Sequence, residues 1–167
     1  MLTFDQAHEL FRYNDETGKL YWKVNRTRKA AGREAGWTNK HGRTYYRRVE
    51  VDGKAYQVHR VIWLMIYGRW PFIGIDHRDG NGLNNRRYNI REATCDINLH
   101  NARMYRTNKS GVTGVYYDRS RQKWRAEVTS NQKTTHIGRF NDITEAEKAR
   151  KQAAREHGFT ERHGVAE

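Results

Sequence analysis

Cysteine is nearly absent from this 167-residue chain, where Cys95 stands alone. A disulfide within the chain is therefore impossible, and a zinc site built from several cysteines is excluded. Such usage fits a reducing, cytoplasmic setting. No run of about 18 apolar residues occurs, so no transmembrane helix is expected and a membrane is not a partner. The opening MLTFDQAHELF is acidic and amphipathic, unlike a secretory signal. Internal repeats and low-complexity segments are missing as well. Apolar residues make up only 36%, too few to suggest one large core. Acidic residues are also scarce, with 19 Asp and Glu against 32 Lys and Arg, a net charge of +13. Solubility needs less than this, so the excess favours a polyanionic partner, and nucleic acid is the commonest.

Aromatic residues are plentiful. Five Trp and ten Tyr argue against disorder, because such side chains can close several small cores. Residues 3 to 13 read as a short helix with Thr3 as cap and Phe4, Ala7, Leu10 and Phe11 on one face. Residues 15 to 22 read as a turn into a strand, and 27 to 37 as a basic loop. The stretch 43 to 59 is a hairpin turning at Asp52-Gly53. A buried helix follows over 59 to 68, stopped by Gly68, and Pro71 prevents its resumption. Short strands at 72 to 76 and 89 to 93 flank an amide-rich loop, and a helix is expected from Thr94 to about Tyr105. After the linker 106 to 110 come three strands (111 to 118, 123 to 130, 133 to 140) in meander spacing. A helix then opens at Thr144 with Glu147 completing a capping box, and carries an alanine face of Ala146, Ala149, Ala153 and Ala154 up to a stop at Gly158. The fold class is α+β.

The amide-rich loop, IDHRDGNGLNN over 75 to 85, carries candidate chemistry. A one-metal phosphodiester nuclease needs a base to activate water and hard oxygen ligands. His77 can be the base, since imidazole titrates near working pH. Asp76 can give a carboxylate oxygen to Mg2+ or Mn2+. Of the helix residues Asn98 and His100, which cannot share a face, Asn98 offers the oxygen that a hard cation prefers. Asp79 suits a loop brace rather than a ligand. Arg78, Arg86, Arg87 and Arg91 flank the site and can reach phosphates.

The stretches VHRVIW, IDHRDGNGLNNRRYNIREAT and DINLHN resemble the HNH nuclease family in its ββα-metal form, most closely its phage and intron-encoded branch. The resemblance covers about 45 residues. It implies a metal ligand at Asp76, a general base at His77 and a second ligand at Asn98, where this branch replaces the family's final histidine. It also implies a structural role for Asn89, hydrogen-bonding across the loop to fix the histidine-bearing backbone. His59 matches a branch position and is read as packing or phosphate contact. The implied activity is hydrolysis of duplex DNA, leaving 5′-phosphate and 3′-hydroxyl ends. One active site per chain suggests nicking by a monomer or weak dimer.

Residues 109 to 159, through SGVTGVYYD, KWRAEV, HIGRFND and TEAEKARKQAA, look like the Apetala-two-type DNA-binding domain. On that pattern Trp124, Ala126 and Val128 face the helix, with Thr135 and Ile137 inward on the next strand and a bulge at Gly138. Tyr116, Arg125, Thr129, His136 and Arg139 would form the outer, DNA-facing side, with Arg119 and Arg121 at the first turn. Tyr116 and Thr129 stand where the plant proteins usually have arginines, so base preference does not carry over. The organisation read from sequence is thus an N-terminal helix and hairpin region (1–57), a nuclease core (58–105), a linker (106–110) and a DNA-binding module (111–167). Two rivals differ in class: a DNA-binding regulator with an inactive nuclease fold, and an RNA binder using the aromatic-rich sheet.

Overall fold

The Thr3 hydroxyl accepts the Gln6 N–H at 3.2 Å, while the Gln6 side chain accepts the Thr3 N–H at 3.1 Å. This reciprocal cap starts α1, Phe4–Leu10, in a computed structural model that describes residues 1–25, 31–42 and 44–165. Residues 27–30 of the basic loop and Arg43 at the head of the hairpin lie outside the described residues. The chain divides into two units, Met1–Thr94 and Cys95–Glu167.

In the first unit, α1 is shorter than its apolar pattern predicts. Phe11 is already extended and opens β1 (Phe11–Asn14), which pairs antiparallel with β2 (Lys19–Trp22). Strand pairing therefore takes the last turn of the expected helix. Strands β3 (Trp37–His41), β4 (Thr44–Val51) and β5 (Lys54–Gln57) form an antiparallel sheet in chain order. Between β4 and β5, Asp52 (φ 50°) and Gly53 (φ 73°) both adopt the left-handed conformation that a two-residue hairpin turn demands. Helix α2 (Val58–Tyr67) ends where Gly68 turns left-handed and its N–H returns to the Leu64 carbonyl at 2.9 Å. Strands β6 (Gly74–His77) and β7 (Ile90–Ala93) pair antiparallel around the amide-rich loop.

One apolar cluster runs through this unit. Phe11, Leu20, Trp22 and Val49 from the N-terminal region meet Val61, Ile62 and Leu64 of α2, and Ile90 joins them. The composition argues against a single large core, and among the described residues the apolar side chains divide between this cluster and a smaller one in the other unit. This cluster is the larger because α2 is buried on nearly every side and gathers apolar residues from distant segments. Truncating Phe11, only 1% exposed, would cost about 3–5 kcal/mol.

In the second unit, α3 covers Cys95–His100, not the expected 94–105. Beyond His100 the Asn101 and Ala102 amides make tight turns back to Asn98 and Leu99. The His100 carbonyl accepts the Thr160 N–H at 3.1 Å, and Gly164 donates to Ala102. The returning C-terminal segment thus takes the place of further helix. Strands β8 (Val115–Asp118), β9 (Lys123–Ser130) and β10 (Lys133–Phe140) form a sheet with β9 central. Its register slips between His136 and Gly138, which returns Phe140 to the small core of Val115, Ala126 and Ala146. Thr135, expected inward, is exposed, because that core does not extend to its end of the sheet. Helix α4 (Ile143–Glu156) is capped by Asp142 rather than by a box at Thr144. Its inner face is not all alanine, since Arg150 is buried beside Ala146. Among the described residues, no helix is long and apolar enough to cross a membrane.

Candidate active site

The last residue of β6 is His77, and alternation along the strand turns it inward while Asp76 faces the other way. His77 is 3% exposed. Its Nε2 lies 2.8 Å from Asn85 Oδ1, so Nε2–H donates to the amide oxygen and the basic lone pair sits on Nδ1. The ring packs against His59 edge-on at 5.3 Å and against Tyr46 of β4 at 5.9 Å. Burial lowers the His77 pKa, although Asn85, Asp79 and Asp76 pull it upward. His59 is pushed down to about 3, by burial first and then by His77 and Arg60. At neutral pH both imidazoles are therefore uncharged.

Asn85 is itself held from the N-terminal region. The Tyr13 hydroxyl lies 2.9 Å from the Asn85 carbonyl and 2.9 Å from the Asp15 carboxylate. The same carboxylate accepts the Arg87 N–H at 3.0 Å, and this bond first, then Tyr13, lowers its pKa. The first hairpin thus grips the loop at two successive points.

Across the loop, Asn89 is buried and fully engaged. Its Oδ1 accepts the Asp79 N–H at 3.1 Å, and its Nδ2 donates to Asp79 Oδ1 at 2.9 Å and to the Asn84 carbonyl at 2.7 Å. Its own carbonyl accepts the Arg78 N–H at 2.9 Å. Asp79 also accepts from the Asn81 backbone and the Asn84 side chain, and so braces the loop. Burial would raise the Asp79 pKa, but these bonds hold it below the ordinary carboxylate value. A β-carbon on Gly82 would come within 2.5 Å of the Tyr45 carbonyl and the Tyr46 ring, so only glycine lets the loop lie this close to β4.

Asp76 sits opposite Arg91 in the β6–β7 pairing, and Arg91 Nε and Nη2 reach its Oδ2 at 3.0 and 2.8 Å. Beside this pair lies a groove of ≈ 440 Å³ lined by Tyr67, Arg78, Arg87, Tyr88 and Arg91. Arg78 and Arg87 are exposed, and the Arg87 guanidinium stands over the Tyr67 ring at 5.9 Å. Arg86 is used inside the fold, donating to the Glu16 carbonyl and to Asn84 Oδ1.

The second unit holds the remaining residues singled out from the sequence. Asn98 is exposed on α3. His100 is engaged within the unit, 3.2 Å from Asp96 and with its ring tilted against Phe159 at 3.9 Å. On the sheet's outer side Tyr116 stands beside Arg125. Both reach Glu127: the Tyr116 hydroxyl donates to its carboxylate and Arg125 pairs with it. Burial would raise Glu127, but Tyr116 and then Arg125 hold it below its ordinary value. Arg139 leans on Asp118 at 3.6 Å and on His136 at 3.4 Å, while Thr129 bonds Thr134. Arg119 and Arg121 are exposed at the first turn. Sequence reasoning missed Asn85, Tyr46 and Tyr13. Asn85 is one of three asparagines in the loop, and no local signal separates it from the other two.

A family model described as HNH endonuclease matches residues 56–100, a span that takes in Asp76, His77, Asn89 and Asn98. "Protein 3.8" of Escherichia phage T7 is 36% identical over 93 residues, 55% of this chain and 76% of the phage protein. The chain belongs to the family of that phage protein and carries an HNH endonuclease domain. No solved structure matches the chain. Within the matched span, Asp76 and His77 lie on β6, on opposite faces, and Asn89 immediately precedes β7 and bonds Asp79.

Proposed function

We propose that the protein is a divalent-metal-dependent DNA endonuclease that nicks duplex DNA. The observation that carries this reading is His77, a neutral imidazole aimed by Asn85 and enclosed by Tyr46 and His59, on the strand residue next to Asp76. In this role His77 Nδ1 takes a proton from the attacking water, and Asn85 keeps the other ring nitrogen protonated so that the base cannot swap tautomers. Asn89 holds the backbone on either side of Asp79 and so fixes the turn that follows His77. Arg78, Arg87 and Arg91 line a groove that Asp15 and Glu92 also line, and the exposed Arg78 and Arg87 would receive the DNA backbone.

The donor chemistry fits Mg2+ or Mn2+, since Asp76 offers carboxylate oxygen and Asn98 amide oxygen, both hard ligands. When bound, such an ion supplies charge stabilisation to the scissile phosphate and the departing 3′ oxygen. Arg91 pairs with the same Asp76 carboxylate.

The unit after residue 94 is read as an Apetala-two-type module that adds affinity and site preference through its outer sheet face. Support comes from a three-stranded antiparallel sheet covered by one helix, with Arg119, Arg121 and Arg125 on or beside that face. The Asp76–Arg91 ion pair favours a second reading, a DNA-binding regulator whose nuclease fold is inactive. Incubation of supercoiled plasmid with Mg2+, Mn2+ or chelator, followed by end mapping, separates the two. The endonuclease yields nicked circles with 5′-phosphate and 3′-hydroxyl ends only when metal is present. Intact plasmid under every metal condition, with DNA still bound, leaves the regulator.

A further inference from the structure

Arg150, midway along α4, is 5% exposed. Among the described residues, no carboxylate pairs with it. The nearest acid on its own helix, Glu147, is held by Lys151 at 2.6 Å. The Arg150 Nε–H is buried without an acceptor. Its Nη2 lies 3.3 Å from His163 Nε2, and the guanidinium stands over the Phe159 ring at 5.1 Å. His163 Nδ1 faces the Leu99 carbonyl at 3.0 Å, which fixes the proton there and leaves Nε2 as a neutral acceptor. A buried cation with one neutral hydrogen-bond partner is poorly compensated. Gly114 makes its room, because a β-carbon there would stand 2.6 Å from Arg150 Nε.

A pocket of ≈ 460 Å³ opens at this point, and Arg150, Lys151, Arg155 and His163 all line it. Glu147 and Glu161 line it too, but the first is tied to Lys151 and the second is exposed. We propose that this pocket is an anion site that takes a phosphate group, from a polynucleotide backbone or from a free phosphate compound. The planar guanidinium matches phosphate oxygens, and the missing counter-charge of Arg150 is what the ligand supplies. The site lies wholly in the second unit and does not depend on the nuclease reading.

The test uses the full chain labelled with 15N-arginine, the Arg150 Nε–H resonance being identified by its loss in Arg150→Lys. Inorganic phosphate is titrated against chloride at constant ionic strength, and a short duplex is added in a parallel series. Phosphate shifts the resonance saturably and raises Tm by about 4 °C near saturation, and Arg155→Gln weakens the response about fivefold. If the duplex shifts the same resonance and phosphate competes, the backbone is the source. If phosphate acts and the duplex does not, the ligand is a free phosphate compound. A resonance that neither probe moves, or that drifts without saturating, overturns the proposal. So does an Arg150→Met protein that folds and keeps the full thermal response to phosphate.

Discussion

The two units place their candidate site side chains differently. The first buries them: His77, Asn85 and Asn89 are each 3% exposed or less and hydrogen-bonded to one another or to the loop they enclose. The second keeps its candidate DNA-facing side chains at or near the surface, where Glu127 engages Arg125 and Tyr116 and Asp118 engages Arg139. A proton acceptor must be aimed to within fractions of an ångström, and burial with complete hydrogen bonding achieves this. A sheet that meets a flexible polyanion gains more from side chains that can re-pair, since exposed ion pairs are weak and exchange easily.

The sharpest way to break the contrast is His77→Ala. Metal-dependent cleavage should fall by about 10³-fold or more, with duplex affinity within about twofold of the parent. Cleavage at the parental rate would remove His77 from the chemistry. Asn89→Ala comes next. Losing three side-chain bonds should cost about 2–4 kcal/mol in urea unfolding of the first unit, whereas the same change at exposed Asn39 of β3 should cost under ~1 kcal/mol.

Acid lability follows from His59. Its folded pKa, about 3, lies below the ordinary histidine value, so its contribution is complete above pH ~6.5 and is lost as pH falls toward 3. By pH 5 the first unit should lose roughly 2 kcal/mol, and a folded His59→Gln protein should show a flatter profile. The smallest effect is expected on the sheet. Glu127→Gln removes the carboxylate that engages Arg125, so duplex affinity should rise about threefold and the salt dependence steepen by about one counterion. Unchanged binding would take that face out of the DNA contact.

Local patterns announced local structure. Asp52-Gly53 gave away its hairpin, Gly68 the end of α2, and Gly138 the bulge that brings Phe140 inward. Each depends on the conformation of a few neighbouring residues, which composition encodes directly. The loop motif likewise marked the tight turn that Asp79 and Asn89 brace. Contacts between distant segments left no such trace. Nothing in the spacing of Tyr13, Tyr46, His59 and Asn85 shows that they converge on one imidazole or its support. The early end of α3 depends on hydrogen bonds from residues some sixty positions later, and Arg150 looked like one more surface cation on an alanine-rich helix.

The support that Tyr13 and Tyr46 give to the loop has a consequence for how such a motif can travel. Both residues precede the matched HNH span, so a cassette cut at residue 56 would leave behind one wall of the imidazole's enclosure and the grip on the backbone of the asparagine that selects its tautomer. Transplanting the signature into another scaffold would carry the reactive letters without the scaffolding that aims them. A shuffled nuclease of this kind has to move with its preceding strands, or meet equivalent ones in its new host.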